Sequence, residues 1–166
     1  MDRRAIPGTR FALLSDTHDN LVDWPAALVA ILAAAGKVDA FIHCGDLSTL
    51  ATLDALAAVA PVFATRSAGD PPADGRRLVD GPRVLEAPGA RIGVTFALAP
   101  SGTSSTELFG ERLDVIVYGG THQSAIVAAG GTLFVNPGSP TLAKAKSLAI
   151  LSLEDGCAKV EIVAIS

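Results

Sequence analysis

Aromatic residues are scarce, at 5% of 166, with a single Trp and a single Tyr, and only three histidines occur. Any site built on imidazole must therefore draw on His18, His43 or His122. The two cysteines, Cys44 and Cys157, stand far apart in no metal-like spacing, which excludes a zinc ribbon or a disulfide framework. They predict reduced thiols in a cytoplasmic protein, both packed as small core hydrophobes. No apolar run approaches the roughly 20 residues of a membrane-spanning helix. The start, Met1-Asp2-Arg3-Arg4, carries charge but no apolar stretch of leader length before Asp16. Positive charge is not in excess: 13 Lys and Arg face 17 Asp and Glu, for a net charge of −4 and a pI near 5.2. That balance argues against nucleic acid and anionic membrane surfaces as partners. The one local basic cluster in sequence is Arg76-Arg77, with Arg66 and Arg83 on either side.

What is abundant is core material: 49% apolar residues and a mean hydropathy of +0.43. A single domain over residues 1–166 is expected, with 1–9 as a loose leading segment. Residues 11–14 read as a buried strand, 24–35 as an alanine-rich helix stopped by Gly36, and 38–43 as a second buried strand. Ser48 or Thr49 caps a helix to about residue 59, Pro61 breaks it, and 62–65 form a third strand. This order implies parallel strands joined by right-handed crossovers. Residues 67–81, rich in Gly, Pro and Asp, read as an irregular loop. The pattern then turns to hairpins. Residues 83–86 and 91–96 flank Pro88-Gly89, 124–128 and 132–135 flank Gly130-Gly131, and 148–153 and 158–165 flank Asp155-Gly156. A capping box, Ser104-x-x-Glu107, opens a short helix to about residue 112, and 114–118 make another buried strand. The fold class is α/β: two mixed β-sheets stacked face to face and flanked by helices. Trp24 and its helix belong to the core.

Polar groups gather after three of the buried strands: Asp16 and His18, then Asp46, then His122. In open α/β sheets ligands bind at such carboxyl ends. Two carboxylates and two imidazoles make a mixed N/O donor set that suits Mn, Fe or Zn better than Ca. Taken singly, Asp-x-His can be a loop cap and Gly-Asp an ordinary turn; the set carries the metal reading. Without an ion, Asp16 and Asp46 face each other, which favours protonating one of them or recruiting a cationic imidazole. His43, inside a strand, reads as a hydrogen-bonded core histidine. Asp19 has two readings, a carboxylate reaching the ion and a helix or loop cap. Arg66 likewise reads either as a phosphate or carboxylate clamp or as a surface arginine paired with Asp70, and Asn20 is a further phosphate-binding candidate.

Asp16-Thr17-His18, His43-Cys44-Gly45-Asp46, Tyr118-Gly119-Gly120-Thr121-His122 and Asn136-Pro137-Gly138-Ser139 resemble the calcineurin-like metallophosphoesterases, in their small single-domain phosphodiesterase branch. The resemblance implies a four-layer sandwich and a two-ion centre bridged by one aspartate. Carried over by position, the first ion's ligands are Asp16, His18, the bridging Asp46 and His122. The second ion's other ligand positions are occupied by Ala68, Phe96 and Gly120, and Leu98 stands where the family has a phosphate-assisting histidine. Phe96 is expected to fill the space of the absent second ion. The resemblance therefore implies at most one divalent transition metal and weak one-metal phosphoester or phosphodiester hydrolysis. The other expectation is a non-catalytic interaction or ligand-sensing module, as in the family relative of the retromer coat. The partner is accordingly either a phosphorylated small molecule or a protein.

Overall fold

Both faces of the strand β2 (Arg10–Leu14) are buried, but against different things. Side chains alternate across a strand. Phe11 and Leu13 thus enter one cluster with Ile42, Leu85, Ile92, Val94, Val115, Val117 and Val135, while Ala12 and Leu14 enter another with Ile31, Leu53 and Leu56. The first cluster lies between two sheets and the second lies under helices, which is why the strand reads as a continuous apolar run.

The computed structural model describes residues 1–97 and 105–166. One sheet has the order β12 (Cys157–Ala164), β11 (Ser147–Glu154), β2, β3 (Ala40–His43), β4 (Val62–Thr65) and β5 (Leu78–Val79). Here β2, β3, β4 and β5 run parallel, and β11 pairs antiparallel with both β2 and β12. The helices α1 (Trp24–Ala35) and α2 (Ala51–Ala57) are the crossovers on its outer face. Asp23 caps α1, with Pro25 in its first turn, and Gly36 closes it at φ 63°.

The second sheet has the order β1 (Asp2–Ala5), β6 (Arg83–Ala87), β7 (Ala90–Val94), β8 (Val115–Val117), β10 (Thr132–Asn136) and β9 (Ala125–Ala129). Outside it lies α3 (Ser105–Phe109), whose Phe109 packs with Leu113, Val84, Ile116 and Phe134. The layers are thus helix, sheet, sheet, helix. The hairpins β6–β7, β9–β10 and β11–β12 form at the turns read from the sequence. Within this half, β7–β8 and β8–β10 are parallel pairs. Ser104 of the capping box and Leu98 lie outside the described residues.

Three expectations need correction. Residues 1–9 are not loose, because Asp2–Ala5 pairs in parallel with Arg83–Glu86. Asp2 also sits 2.8 Å from the fully buried guanidinium of Arg83, an anchor that a polar, non-periodic stretch does not advertise. The loop over 67–81 contains the two-residue strand β5, whose side chains are both buried. Cys44 is buried as expected, but Cys157 is exposed, since β12 is an edge strand and Cys157 opens it at the hairpin turn. Trp24 packs against the helix-side core. No helix among the described residues is long and apolar enough to cross a membrane.

Candidate metal centre

The carboxyl ends of β2 and β3, from one sheet, and of β8, from the other, meet at one edge of the sandwich. The loops after β2 and β3 are zipped together by the amides of Asp16, His18 and Asp19, which donate to the carbonyls of Gly45, Asp46 and Leu47 at 2.9–3.0 Å. Gly119 brings the loop after β8 against them. A Cβ there would lie 1.8 Å from Ser15 Oγ, so only glycine permits the approach. The amide of Gly120 then donates to Asp16 Oδ2 at 2.9 Å. From the far side, Ser139 Oγ donates to the Asp16 carbonyl at 2.8 Å and Thr141 Oγ1 to that of Thr17 at 2.8 Å, so the Asn136-Pro137-Gly138-Ser139 turn holds this loop too.

This packing gathers the four expected ligands. Donor atoms of Asp16, His18, Asp46 and His122 all lie within 4.8 Å of one another. His122 Nε2 is 3.5 Å from Asp16 Oδ1, His18 Nε2 is 3.4 Å from Asp46 Oδ2, and the two rings are 5.4 Å apart. All four residues have positive φ, at 57°, 40°, 59° and 63° in chain order. Such backbone is costly for side chains other than glycine, roughly 1–3 kcal/mol each, and persists where the surroundings impose it.

Each carboxylate is divided in the same way. Asp16 gives Oδ2 to the Ser15 hydroxyl at 2.7 Å and to the Gly120 amide, leaving Oδ1 buried without a hydrogen-bond partner. Asp46 gives Oδ1 to the Ser67 hydroxyl and turns Oδ2 toward His18. His18 Nε2 is also buried without a hydrogen-bond partner. Buried polar atoms are seldom left unpaired, so atoms aimed at a common point fit a cation there. Burial holds the Asp16 carboxyl above its ordinary range. The Gly120 amide, Ser15 hydroxyl and His122 pull the other way, while Asp46 adds to the rise. The donor set of two carboxylates and two imidazoles suits a divalent transition metal, and the residues present fit one.

The other predicted positions divide clearly. His43 is a core histidine: Nδ1 accepts from the Gly45 amide at 3.1 Å, which assigns the proton to Nε2, facing Thr17 Oγ1 at 3.0 Å. Burial lowers its pKa to about 4. Asp19 is not among the four clustered donors. It is buried and accepts from the amides and hydroxyls of both Thr49 and Thr52 at 2.8–3.1 Å, so it caps α2. Arg66 is engaged by protein groups. Its guanidinium bonds the carbonyls of Pro71 and Asp70 and the carboxylate of Asp80, bracing the loop after β4. Neutralisation disperses the arginine cluster as well, since Arg77 pairs with Asp54 and Asp74 and Arg83 with Asp2. Asn20 is an exposed turn residue two positions past His18. Ala68 is exposed. The Phe96 ring lies over two site glycines: a Cβ on Gly45 would meet it at 2.9 Å and one on Gly120 at 3.6 Å.

Asp70 is the functional residue that sequence reading undervalued. Its carboxylate accepts from the amides of Asp46, Leu47, Ser48 and Ser67 at 2.8–3.2 Å, fixing the loop that presents Asp46. The available signal was Ser67-Ala68-Gly69-Asp70 directly after a strand, a composition that favours side-chain-to-backbone turns.

The calcineurin-like phosphoesterase superfamily domain matches residues 10–156. The chain is 33% identical over 154 residues to a probable metallophosphoesterase of Methanocaldococcus jannaschii, covering 86% of this chain and 75% of that one. Among solved structures it is similar to an archaeal phosphodiesterase, with a TM-score of 0.71, 21% identity, and 92% and 99% of the two chains covered. It is also similar to a zinc complex of Vps29 from Entamoeba histolytica, with a TM-score of 0.63, 20% identity, and coverage of 95% and 99%. With these matches spanning the same strands whose ends carry Asp16, His18, Asp46 and His122, the chain belongs to the calcineurin-like phosphoesterase superfamily.

Proposed function

We propose that this protein holds one divalent transition metal between Asp16, His18, Asp46 and His122 and hydrolyses activated phosphodiesters slowly. The observation that carries the reading is the inward aim of Asp16 Oδ1 and His18 Nε2, buried and unpartnered, toward the two remaining donors. When bound there, a divalent ion supplies charge stabilisation at a phosphoryl oxygen and acidifies a water. The protein's own part is to fix the donors. Gly120 and Ser15 hold Asp16, and Ser67 and Asp70 hold Asp46, so no reorganisation is needed as charge develops.

Among the described residues, the positions expected to hold a second ion offer no equivalent donors. Ala68 and Gly120 offer no side-chain ligand, and the Phe96 ring covers Gly45 and Gly120. On this reading the leaving oxygen lacks the second ion's stabilisation, so esters of acidic alcohols are the favoured substrates. Reduced thiols and the absence of a membrane-spanning helix among the described residues fit a cytoplasmic setting. The same Phe96 cover favours the second reading, a non-catalytic interaction or ligand-sensing module.

Elemental analysis and a chromogenic phosphodiester assay with added Mn or Zn separate these. The enzyme reading expects one ion per chain and slow turnover that Asp46→Ala abolishes. One ion with no turnover on any divalent metal establishes the module, and two ions per chain overturn the single-site reading.

A further inference from the structure

We infer that the cleft running from His122 to Lys144 seats the part of the ligand beyond the scissile phosphate, and that Lys144 selects small phosphodiesters carrying a second phosphate. The inference rests on the one-ion reading above and names the substrate class of that same site. The cleft measures about 740 Å³, within the usual range for a small-molecule site. One wall follows β8, with His122, Gln123 and Ser124; the other follows the Asn136–Ser139 turn, with Leu142 and Lys144. His122 belongs to both this wall and the donor cluster, so the cleft opens directly beside the metal centre. Both walls stand on the same turn. Asn136 Nδ2 donates to Thr121 Oγ1 at 2.9 Å, which accepts from the Gln123 amide at 3.2 Å, and the Leu142 amide donates to Ser139 Oγ at 3.0 Å. A Cβ on Gly138, at φ 78°, would run into Ser147 Oγ and lie 3.3 Å from the Ser124 nitrogen, so this glycine lets the walls close at their base.

Charge gives the cleft its preference. Between Asp114 and Glu154 the chain has no acidic residue, and Lys144 and Lys146 are the only lysine or arginine side chains there. Arg66, Arg77, Arg83 and Arg91, by contrast, each pair with a carboxylate. Among the described residues Lys144 pairs with none, and it stands exposed beside a cleft whose lining holds no acid. A cleft lined by one sign of charge concentrates ligands of the other. A phosphodiester carries one negative charge, which belongs at the donor cluster, so the group for Lys144 is a second anion. The ammonium is a compact point charge that suits phosphate, and Gln123 and Ser124, exposed on the facing wall, add donors for a group with several acceptor oxygens. A net charge of −4 disfavours a long polyanion, which leaves a small ester as the ligand.

The test is calorimetric titration of the full chain, first with Zn(II) and then, in the zinc form, with thymidine 5′-monophosphate and thymidine 3′,5′-bisphosphate, which differ only in the added phosphate. Wild type is expected to prefer the bisphosphate by about fivefold at low salt, the upper end for an exposed ion pair, and by less as salt rises. Lys144→Ala removes the preference, Lys144→Arg retains it and Lys144→Glu reverses it. Lys146→Ala, outside the cleft lining, keeps it, which separates a local contact from net charge. With zinc bound, equal affinities in wild type, or a preference that survives Lys144→Ala, overturn this inference alone. Failure to bind zinc overturns the one-ion reading and this inference with it. The probes report binding, so the result holds whether or not the protein turns a diester over.

Discussion

His43 carries a large downward shift, and burial causes it, as burial also pushes up the neighbouring Cys44 thiol. Nδ1 accepts from Gly45, and Nε2 starts a buried chain through Thr17, Thr52 and the Asp19 carboxylate, with steps of 3.0, 3.3 and 2.8 Å. Burial makes a second proton on the ring pay desolvation, hence the pKa of about 4 against 6.5 when unfolded. Between these values the unfolded chain binds the extra proton, so stability is complete above pH 6.5 and is lost as pH falls toward 4, by about 3 kcal/mol. The wild-type minus His43→Gln difference in unfolding free energy should therefore be flat above that window and decline within it; a difference that stays constant to pH 4 refutes the assignment. Gly119→Ala is a second residue-scale prediction. Its Cβ would lie 1.8 Å from Ser15 Oγ and 2.9 Å from Asp16 Oδ2, displacing both, so zinc affinity should fall at least about tenfold by calorimetric titration.

At the scale of elements, α2 depends on a residue outside it. The helix has seven residues, its N-cap is Leu50, and no side-chain bond caps it from that position. Asp19, in the loop after β2, supplies the cap through Thr49 and Thr52. Asp19→Ala should cost about 2–4 kcal/mol in urea unfolding, since it removes a cap and leaves buried hydroxyls short of a partner. Asp19→Asn, which keeps an acceptor, should cost less. The strand and helix bounds of α1, β4 and the three hairpins were legible because Gly36, Pro61 and the glycine-containing turns punctuate buried runs. The pairing of β1 was not, because what holds it is the buried Arg83, remote in the chain and polar on both sides of the contact.

For the whole molecule, the site ties β2 and β3 of one sheet to β8 of the other. Ion binding is therefore expected to stabilise the fold as a unit, by about 2.7 kcal/mol at a hundred times Kd. On a domain of this size that raises Tm by roughly 5–10 °C. Thermal melts after chelation and after addition of Zn or Mn measure it, with Asp46→Ala losing the increment. Identical midpoints in wild type would argue against an ion at this site.

The four clustered donor positions were legible in the chain alone because each follows a buried apolar run, and the end of such a run is where a loop must carry polar groups to the surface. The donor types followed from the residues themselves, and so did the absence of side-chain ligands at Ala68 and Gly120. Which oxygen of each carboxylate stays free was decided only by tertiary contacts. Ser15, Gly120, Ser67 and Asp70 reach Asp16 and Asp46 across packed loops. Hydrogen bonds depend on distance and direction in space, and Gly120 lies 104 residues from the aspartate it orients.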